Sequence, residues 1–267
     1  MELTIAGLNV ERRGSGPPLL LIHGLGHRWQ MWTPLLDDLA RDHDVAAVDL
    51  PGFGKSPALV LDHPITIADT GDALERLLDE LGWDRAHVAG NSLGGWLTYE
   101  LARRGRALSA CGLAPAGCWP LGREPRQIRP IFRLMVFATK RPRLTKLLRF
   151  RAVRTIMMYG LVGKPWRVPA DVAVDDARAF DSPTLREILG TKEPLAFTGG
   201  RDIDASVTIA FFSRDPLIRR RQSTLDELPP STVEVRRRGC GHIPTWDDPA
   251  WCAATIRETE RSATPHR

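Results

Sequence analysis

The chain of 267 residues lacks any long hydrophobic run. A helix that crosses a membrane needs about 18 or more consecutive apolar residues, and no window of this chain approaches that length. The first four residues, Met1-Glu2-Leu3-Thr4, also lack the basic region followed by an apolar region that is typical of a secretory signal. We therefore expect a cytoplasmic protein without stable membrane insertion.

Cysteine is scarce, and its spacing shows no pairing pattern. The four cysteines are Cys111, Cys118, Cys240 and Cys252, with no CxxC pair among them. This spacing argues against a zinc site and against a disulfide framework. We expect reduced thiols, no metal ion and no cofactor. Cys240 lies two residues before a histidine, but it is a weaker candidate nucleophile than Ser92, whose sequence context is described below.

Acidic residues are fewer than basic ones, 32 against 37, which gives a formal net charge of +5. Arginine clusters occur at 219–221 and 236–238, and such clusters can mark binding to nucleic acid or to anionic membranes. These two are short, lack interleaved aromatic residues, and fall on a predicted helix start and an edge-like strand. We interpret them as solvated surface. The expected partner is a small-molecule substrate and no nucleic acid, and the oligomeric state stays open.

Short apolar runs alternate with amphipathic helical patterns along most of the chain. The predicted strands cover residues 3–5, 8–12, 19–22, 45–50, 86–90, 110–113, 207–212 and 232–237. The predicted helices cover residues 29–41, 67–81, 93–104 and 250–260, with a short helix after residue 217. This alternation predicts an α/β fold with a doubly wound, mostly parallel sheet, in which ligands bind at the carboxyl ends of the strands.

One segment interrupts this pattern. Residues 118–199 contain no strand-like run and are rich in Arg and Pro. Helix-like segments in this region fall near residues 128–139, 143–158, 171–179 and 183–190. Because the insertion follows the carboxyl end of a strand, we expect a helical cap over that edge, with residues 1–117 and 200–267 forming the core. The alternative is that these helices only pack on the flank of the sheet.

A sharp strand-to-helix turn is predicted at Ser92, within the pattern Gly90-x-Ser92-x-Gly94. Such a turn forces the serine into a strained backbone conformation, so the residues two before and two after it must lack bulky side chains. The serine hydroxyl is then exposed above the end of a strand. The first amides of the following helix favour negative charge at this place, where an oxyanion would form.

Two later strand ends supply the other groups that a nucleophilic serine needs. Asp215 follows the predicted strand 207–212, and His242 follows the last predicted strand. The histidine would remove the proton from Ser92 during attack, and the aspartate would fix the tautomer of the histidine and stabilise its charged form. Asp202 and Asp204 are alternative acids, but they precede the strand instead of following it.

Five motifs occur in the order found in one large family. They are His23-Gly24, Asp49-x-Pro51-Gly52-x-Gly54-x-Ser56, Gly90-Asn91-Ser92-Leu93-Gly94-Gly95, Asp215-Pro216-Leu217 and Gly241-His242-Ile243-Pro244. Over nearly its whole length the chain thus resembles the α/β-hydrolase superfamily, in its serine-nucleophile branch with a helical cap. The resemblance implies that the backbone amides of Leu25 and Leu93 form an oxyanion hole. It also implies that His23 organises its loop, and Asp49 is interpreted as holding its own turn.

The sequence departs from the family before the acidic loop. Many members carry Trp-Gly there, whereas this chain has Phe211-Phe212-Ser213. Two aromatic residues in place of a glycine could alter the loop that presents Asp215. Asp247 and Asp248 follow His242 closely and are interpreted as the beginning of the last helix.

A serine at the elbow limits the classes of reaction that we expect. In the family that the chain resembles, an aspartate at the elbow gives haloalkane dehalogenases and epoxide hydrolases, so Ser92 argues against both. We expect a serine hydrolase of small carboxylic esters that needs no cofactor. The alternatives are a carbon-carbon bond hydrolase of ring-cleavage products, in which Arg126, Arg129 or Arg133 would meet a substrate carboxylate, and a non-catalytic ligand-binding protein.

Large apolar side chains in and near the insert predict an apolar substrate pocket. They are Trp96, Trp119, Met135, Phe137, Met157, Met158 and Trp166. From these we select Trp96, Trp119, Met135 and Met158 as pocket residues. The alternative is that they are ordinary core residues.

Overall fold

The computed structural model describes residues 2–180, 182–191 and 195–263. Residues 1, 181, 192–194 and 264–267, which belong to the predicted core and insert, lie outside these ranges. In the described part of the chain, eight strands form one sheet in the order β1-β2-β4-β3-β5-β6-β7-β8. Their bounds are β1 Glu2–Ile5, β2 Leu8–Gly14, β3 Pro18–Ile22, β4 Asp44–Val48, β5 Ala86–Asn91, β6 Ala107–Leu113, β7 Ser206–Phe212 and β8 Val233–Arg237.

The sheet is parallel from β4 to β8 and antiparallel only where β1 and β2 are added. The central strand β3 pairs with both β4 and β5, so that Ile22 lies between Val48 and Gly90. Residues 19–22 of β3 are fully buried, as expected for a strand that is covered on both faces. The parallel strands therefore end at one common edge. This confirms the predicted α/β fold with a mostly parallel, doubly wound sheet.

Nine helices are present within the described ranges. They are α1 Thr33–Leu39, α2 Ile67–Glu80, α3 Leu93–Arg103, α4 Ile128–Thr139, α5 Pro142–Lys146, α6 Arg151–Met158, α7 Ala170–Ala179, α8 Pro183–Gly190 and α9 Pro249–Arg261. Helix α1 packs with α9 and helix α2 packs with α3, and these pairs flank the sheet. Helix α2 begins with a capping box, in which Thr66 and Asp69 satisfy each other's backbone amides.

Two helix predictions are wrong in detail. The single helix predicted over residues 143–158 is divided, because a 3-10 turn at Leu147–Arg149 leads to Phe150 in an extended conformation (φ −81°, ψ 124°). The short helix predicted after residue 217 is only a 3-10 turn at Arg220–Gln222. Apolar spacing alone did not reveal either interruption, because a residue in extended backbone can keep its side chain on the same face.

Helices α4 to α8 follow β6 and precede β7. Their buried side chains, such as Phe132, Leu148 and Leu185, belong to the same apolar cluster as the buried residues of the sheet. The insert is therefore packed onto the sheet by side chains of its own. In the described ranges, no helix combines the length and the apolar character needed to cross a membrane.

Candidate active site

Ser92 sits in the strained turn between β5 and α3. Its φ of +55° and ψ of −115° lie in a region that residues other than glycine rarely adopt. A Cβ atom on Gly90 would lie 2.1 Å from the carbonyl oxygen of Gly94, and one on Gly94 would lie 2.1 Å from that of Ile22. Both positions therefore require glycine, for the steric reason that the sequence pattern suggested.

Backbone hydrogen bonds hold this turn against the neighbouring strand. The amide of Ser92 donates to the carbonyl of Leu113 at 3.0 Å, and the carbonyl of Ser92 accepts from Trp96 at 3.1 Å and from Ala116 at 2.9 Å. Ser92 itself is 7% exposed. Its position is thus fixed by β5, β6 and the first turn of α3, and only a small part of it is open to a ligand.

His242 and Asp215 form a direct, buried pair. The distance from His242 Nδ1 to Asp215 Oδ2 is 2.8 Å, and the Asp215 side chain is fully buried. The second carboxylate oxygen, Oδ1, accepts the amides of Leu217 at 2.7 Å and Ile218 at 3.0 Å. Asp215 therefore reaches the histidine in spite of the Phe211-Phe212-Ser213 departure. An ionised carboxylate can only accept here, so Nδ1 carries the proton, and in the neutral ring Nε2 is the nitrogen with a free lone pair.

Asn91 ties the histidine loop to the serine turn. Its Nδ2 donates to the carbonyl of His242 at 2.9 Å and to the carbonyl of Leu113 at 2.9 Å. Among the described residues there is no hydrogen bond between the Ser92 hydroxyl and the His242 ring; such nucleophile–base bonds often tighten only in the complex with substrate. From sequence, Asn91 is only part of the elbow motif, in which Asn91 with Leu93-Gly94-Gly95 resembles carbon-carbon bond hydrolases and many esterases; its two contacts were not predicted.

His23 and Asp49 organise the loops on the other side of Ser92. The amide of Leu50 donates to His23 Nε2 at 2.9 Å, so His23 Nδ1 carries the proton and donates to the carbonyl of Gly24 at 2.7 Å. Complete burial lowers the pKa of His23 to about 4, so its ring is neutral at pH 7. Asp49 accepts the amides of Trp29 and Lys55 at 2.7 and 3.0 Å. Both residues therefore have loop-holding contacts.

The predicted oxyanion hole consists of the amides of Leu25 and Leu93. Leu25 and Leu93 line the same cavity as the serine. Within the described ranges, neither N–H donates to a protein acceptor, so both are available to a ligand oxygen. A Cβ on Gly24 would lie 3.1 Å from the Ser92 Cβ, which shows how closely the first loop approaches the serine.

An apolar cavity of about 80 Å³ opens beside Ser92. Side chains from the strand ends and from the insert line it together: Leu25, Ile67, Ser92, Leu93, Trp96, Ala116, Trp119, Glu124, Ile128, Arg129, Phe132, Ile188, Leu189, Leu195, Leu217 and Ile218. Trp96 and Trp119 meet edge to face, with ring centroids 6.5 Å apart. The structure thus places two of the four predicted pocket residues beside the serine.

The cavity beside Ser92 contains one ion pair and is otherwise apolar. Arg129 Nε contacts Glu124 at 2.9 Å, and Arg129 Nη1 donates to the carbonyls of Leu189 and Thr191. Its guanidinium is therefore already occupied by protein acceptors. Arg126 and Arg133 are exposed and do not line this cavity. None of the three arginines thus offers an unpaired charge near Ser92.

Met135 and Met158 line a second cavity, of about 110 Å³. Its lining residues are His27, Met135, Ala138, Thr139, Thr145, Leu148, Met157, Met158, Leu161, Ala173, Asp176, Ala177, Phe180 and Ile243. Phe132 borders the first cavity and Phe180 the second, and their stacked rings, 5.6 Å apart, stand between the two. Phe137 and Trp166 are largely exposed instead of facing either cavity.

Asp247 is a buried anchor that the sequence analysis assigned only to the beginning of a helix. Its side chain accepts the amides of Gly163 at 2.8 Å, Lys164 at 2.6 Å and Gly241 at 2.7 Å. It thereby joins the loop before His242 to the insert. Asp248, by contrast, does cap helix α9, because its side chain accepts the amide of Trp251 at 3.3 Å.

Other candidate chemistry is disfavoured at this site. Burial raises the pKa of the Cys240 thiol to about 11, so this residue carries no thiolate at neutral pH. All four cysteines are free and buried. Across the residues that the structure covers, no group of three or more His, Cys, Asp or Glu side chains could hold a metal ion.

Most of the chain matches one protein family. Residues 19–255 match the model of the alpha/beta hydrolase family, and this range contains the serine turn, the aspartate and the histidine described above. The chain belongs to the alpha/beta hydrolase family. The eight-stranded sheet with flanking helices is the fold expected of such a hydrolase.

Individual relatives share only parts of the chain. The epoxide hydrolase EphH of Mycobacterium tuberculosis is 65% identical over 48 residues, which cover 18% of this chain and 22% of that protein. The pimeloyl-[acyl-carrier protein] methyl ester esterase of Legionella pneumophila (strain Paris) is 35% identical over 95 residues, 36% of each protein. These matches thus span between about a fifth and a third of the relatives' length.

Solved structures match nearly the whole fold, and one example shows the extent of the likeness. The 2-hydroxy-6-oxo-6-phenylhexa-2,4-dienoate hydrolase of Rhodococcus sp. strain RHA1 superposes with a TM-score of 0.77 and 20% sequence identity, over 98% of this chain and 99% of that one. At this identity the likeness concerns the fold. The two named relatives are an epoxide hydrolase and a methyl ester esterase, and this chain shares their family.

Proposed function

We propose that the chain is a serine hydrolase of small, uncharged carboxylic esters, with Ser92 as nucleophile, His242 as base and Asp215 as the residue that orients the base. The hydrogen bond of 2.8 Å between His242 Nδ1 and buried Asp215 carries this proposal. With the Nδ1 proton held by Asp215, Nε2 is the nitrogen that can accept a proton from Ser92. The strained turn of Ser92 supports the same assignment.

The proposed reaction has two acyl-transfer steps. Ser92 Oγ attacks the ester carbonyl while its proton passes to His242 Nε2, and the alkoxide that forms accepts the amides of Leu25 and Leu93. Collapse of this intermediate breaks the bond to the leaving alcohol, which takes the proton from His242. Water then attacks the acyl-serine with His242 again as base, and release of the acid restores Ser92.

In the same proposal, residues 118–199 act as a cap over the serine, and residues 1–117 and 200–267 form the core. The support is the composition of the cavity wall. Ser92, Leu25 and Leu217 come from the strand ends, whereas Ile128 and Phe132 come from helix α4 of the insert. The insert therefore contributes to the shape of the space in which an acyl group would bind.

An ester fits this cavity better than the two other reactions suggested by the relatives. A dienoate substrate brings a carboxylate, but the only arginine that lines the cavity in the described ranges, Arg129, is already paired with Glu124. An epoxide opened by Ser92 Oγ would leave an ether, which water does not cleave readily, whereas an acyl-serine is hydrolysed. The named methyl ester esterase relative is consistent with ester chemistry.

Labelling with a fluorophosphonate tests the nucleophile. We expect covalent label on the peptide that contains Ser92, loss of label in Ser92→Ala, and turnover of p-nitrophenyl butyrate that is lost in the same variant. A folded protein that hydrolyses the ester without being labelled would refute Ser92 as nucleophile. Binding of esters without turnover would favour the ligand-binding alternative, and preferential turnover of a dienoate would favour carbon-carbon cleavage.

A further inference from the structure

The outer surface of the insert carries a strong and unbalanced charge. Residues 133–159 contain eight Lys or Arg and no Asp or Glu. Seven of the eight are exposed: Arg133, Lys140, Arg141, Arg143, Lys146, Arg149 and Arg151. Within the part of the chain that the structure describes, none of these seven forms an ion pair with a carboxylate. Elsewhere, Arg104 and Arg257 each contact at least two carboxylates.

Large apolar side chains are exposed in the same segment. They are Leu134, Phe137, Leu144, Leu147, Phe150, Ile156, Met157 and Tyr159. Ile156 is 78% exposed and Leu134 is 66% exposed, so most of each side chain is in contact with solvent. Among the described residues, only five other large hydrophobic side chains are exposed. Clustering of this kind is typical of an interaction surface.

These basic and apolar residues share one side of the insert. On helix α4 the exposed residues Arg133, Leu134 and Phe137 recur at helical spacing, opposite the buried Phe132 and Val136. The inward sides of α4, α5, the following 3-10 turn and α6 all line the second cavity. Apart from Met157, which both lines that cavity and is exposed, the exposed side chains of these segments are not among its lining residues. We refer to the exposed residues within 133–159 as the basic-apolar face.

We propose that the basic-apolar face docks on the surface of an anionic lipid bilayer. Lysine and arginine would contact lipid phosphates, and the leucine, isoleucine, methionine and phenylalanine side chains would enter the boundary between headgroups and acyl chains. Arg141 illustrates the combination, because its guanidinium lies 3.6 Å from the centre of the Phe137 ring. Such docking is peripheral and needs no spanning helix.

The composition of the face favours a bilayer over other anionic or apolar partners. A second copy of the chain would bring its own unpaired positive charges against these, which is repulsive. Nucleic acid would use the basic and aromatic side chains, but five of the eight exposed apolar residues are Leu, Ile or Met and have no role on a phosphate backbone. A lipid surface can contact the basic and the apolar side chains at the same time.

The second cavity lies directly beneath the basic-apolar face. Met157 both lines this cavity and is 46% exposed, and Ile243, which follows His242, lines it as well. The apolar chain of a membrane-bound amphiphile could thus enter this cavity from the bilayer and reach Ile243, next to His242. The docking itself does not rest on the proposed hydrolase activity.

Vesicle flotation tests the docking with the full chain. We expect binding to vesicles made of equal parts of phosphatidylcholine and phosphatidylglycerol, and none to phosphatidylcholine alone. Reversal of three charges, in Arg143→Glu with Lys146→Glu and Arg149→Glu, should weaken binding by roughly a hundredfold or more. Replacement of Leu147, Phe150 and Ile156 by serine should weaken it as well, because apolar insertion is lost.

A matched control uses the other basic region, with Arg219→Glu, Arg221→Glu and Arg238→Glu, whose side chains are also exposed. This variant should bind vesicles as the wild type does. Circular dichroism of all three variants checks that they are folded. Equal losses in the control and in the charge variant would overturn the proposal, since binding would then reflect overall charge. Full binding by the serine variant would overturn the insertion of the apolar side chains, and failure of the wild type to bind the anionic vesicles would overturn the docking, in favour of a site for soluble polyanions.

Discussion

His242 donates its Nδ1–H to Asp215 Oδ2 over 2.8 Å, while the other oxygen of Asp215 accepts two backbone amides. Both oxygens of the carboxylate are thus satisfied, and the carboxylate is fixed in place before it meets the histidine. This arrangement selects one tautomer of His242 and one orientation of its ring. The insert holds the histidine from the other side, because the amide of His242 donates to the carbonyl of Gly160 at 3.1 Å.

Asp215→Asn should abolish most ester hydrolysis without unfolding the protein. The asparagine can keep its acceptor on the amides of Leu217 and Ile218, but its amide group would donate to His242 Nδ1 and select the wrong tautomer. We expect kcat to fall by about 10⁴-fold with KM little changed, measured with p-nitrophenyl butyrate. Asp202→Asn, the alternative acid in the sequence, is the control and should retain activity. A small loss in Asp215→Asn would contradict the orienting role.

The sequence predicted the features that depend on local backbone geometry. Gly90 and Gly94 could be identified because a turn with a strained serine leaves no room for a side chain at either place, and the structure gives that steric reason. The order of strands and helices was also predictable, because buried strands and amphipathic helices differ in apolar spacing. Within the insert, the bounds of α4, α7 and α8 agree with the predicted segments to within one residue.

The features that the sequence did not reveal depend on contacts between distant segments. Asp247 accepts the amides of Gly163 and Lys164, which lie more than eighty residues earlier in the chain, and nothing in its local sequence separates it from the helix cap Asp248. Met135 and Met158 were selected as pocket residues because they are large apolar side chains within the insert. Which of two cavities they line depends on the stacking of Phe132 on Phe180, which local spacing cannot show.

Asp247→Ala and Asp248→Ala form a matched pair of neighbours with different expected effects. Loss of Asp247 leaves three amides without their acceptor, two of them in the insert and one beside His242. We expect its free energy of unfolding to fall by about 3 kcal/mol or more in urea titrations, with a lower kcat because the histidine loop is released. Asp248→Ala should cost about 1 kcal/mol, as for the loss of a helix cap, and leave kcat unchanged. Equal effects on kcat would contradict the anchoring role of Asp247.

Buried His23 should make the protein less stable as the pH falls. Its pKa of about 4 in the folded chain lies below its ordinary value of 6.5. Between these two pH values the histidine is protonated in the unfolded chain and neutral in the folded chain. Stability from this group is therefore complete above pH 6.5 and is lost progressively down to about pH 4, by about 3 kcal/mol in total.

The measurement is urea unfolding between pH 7 and 4, for the wild type and for His23→Gln. The wild type should lose stability more steeply than the variant, because the glutamine does not titrate. An NMR titration of the His23 ring in the folded wild type gives an independent readout that does not need the variant to fold. Protonation of this ring near pH 6.5 would contradict the prediction.

Phe132→Ala should change which esters the enzyme prefers. In the structure, the stacked rings of Phe132 and Phe180 separate the cavity at Ser92 from the second cavity, so removal of one ring should join the two spaces. We expect the variant to shift its highest kcat/KM for p-nitrophenyl esters to longer acyl chains than the wild type prefers. Loss of a buried phenyl group should also cost about 3 kcal/mol or more of stability, so assays are made below the melting temperature of the variant.

Phe137→Ala removes an exposed ring from the same helix and should leave both chain-length preference and stability nearly unchanged. An unchanged preference in Phe132→Ala would mean that the Phe132–Phe180 pair does not limit the acyl site.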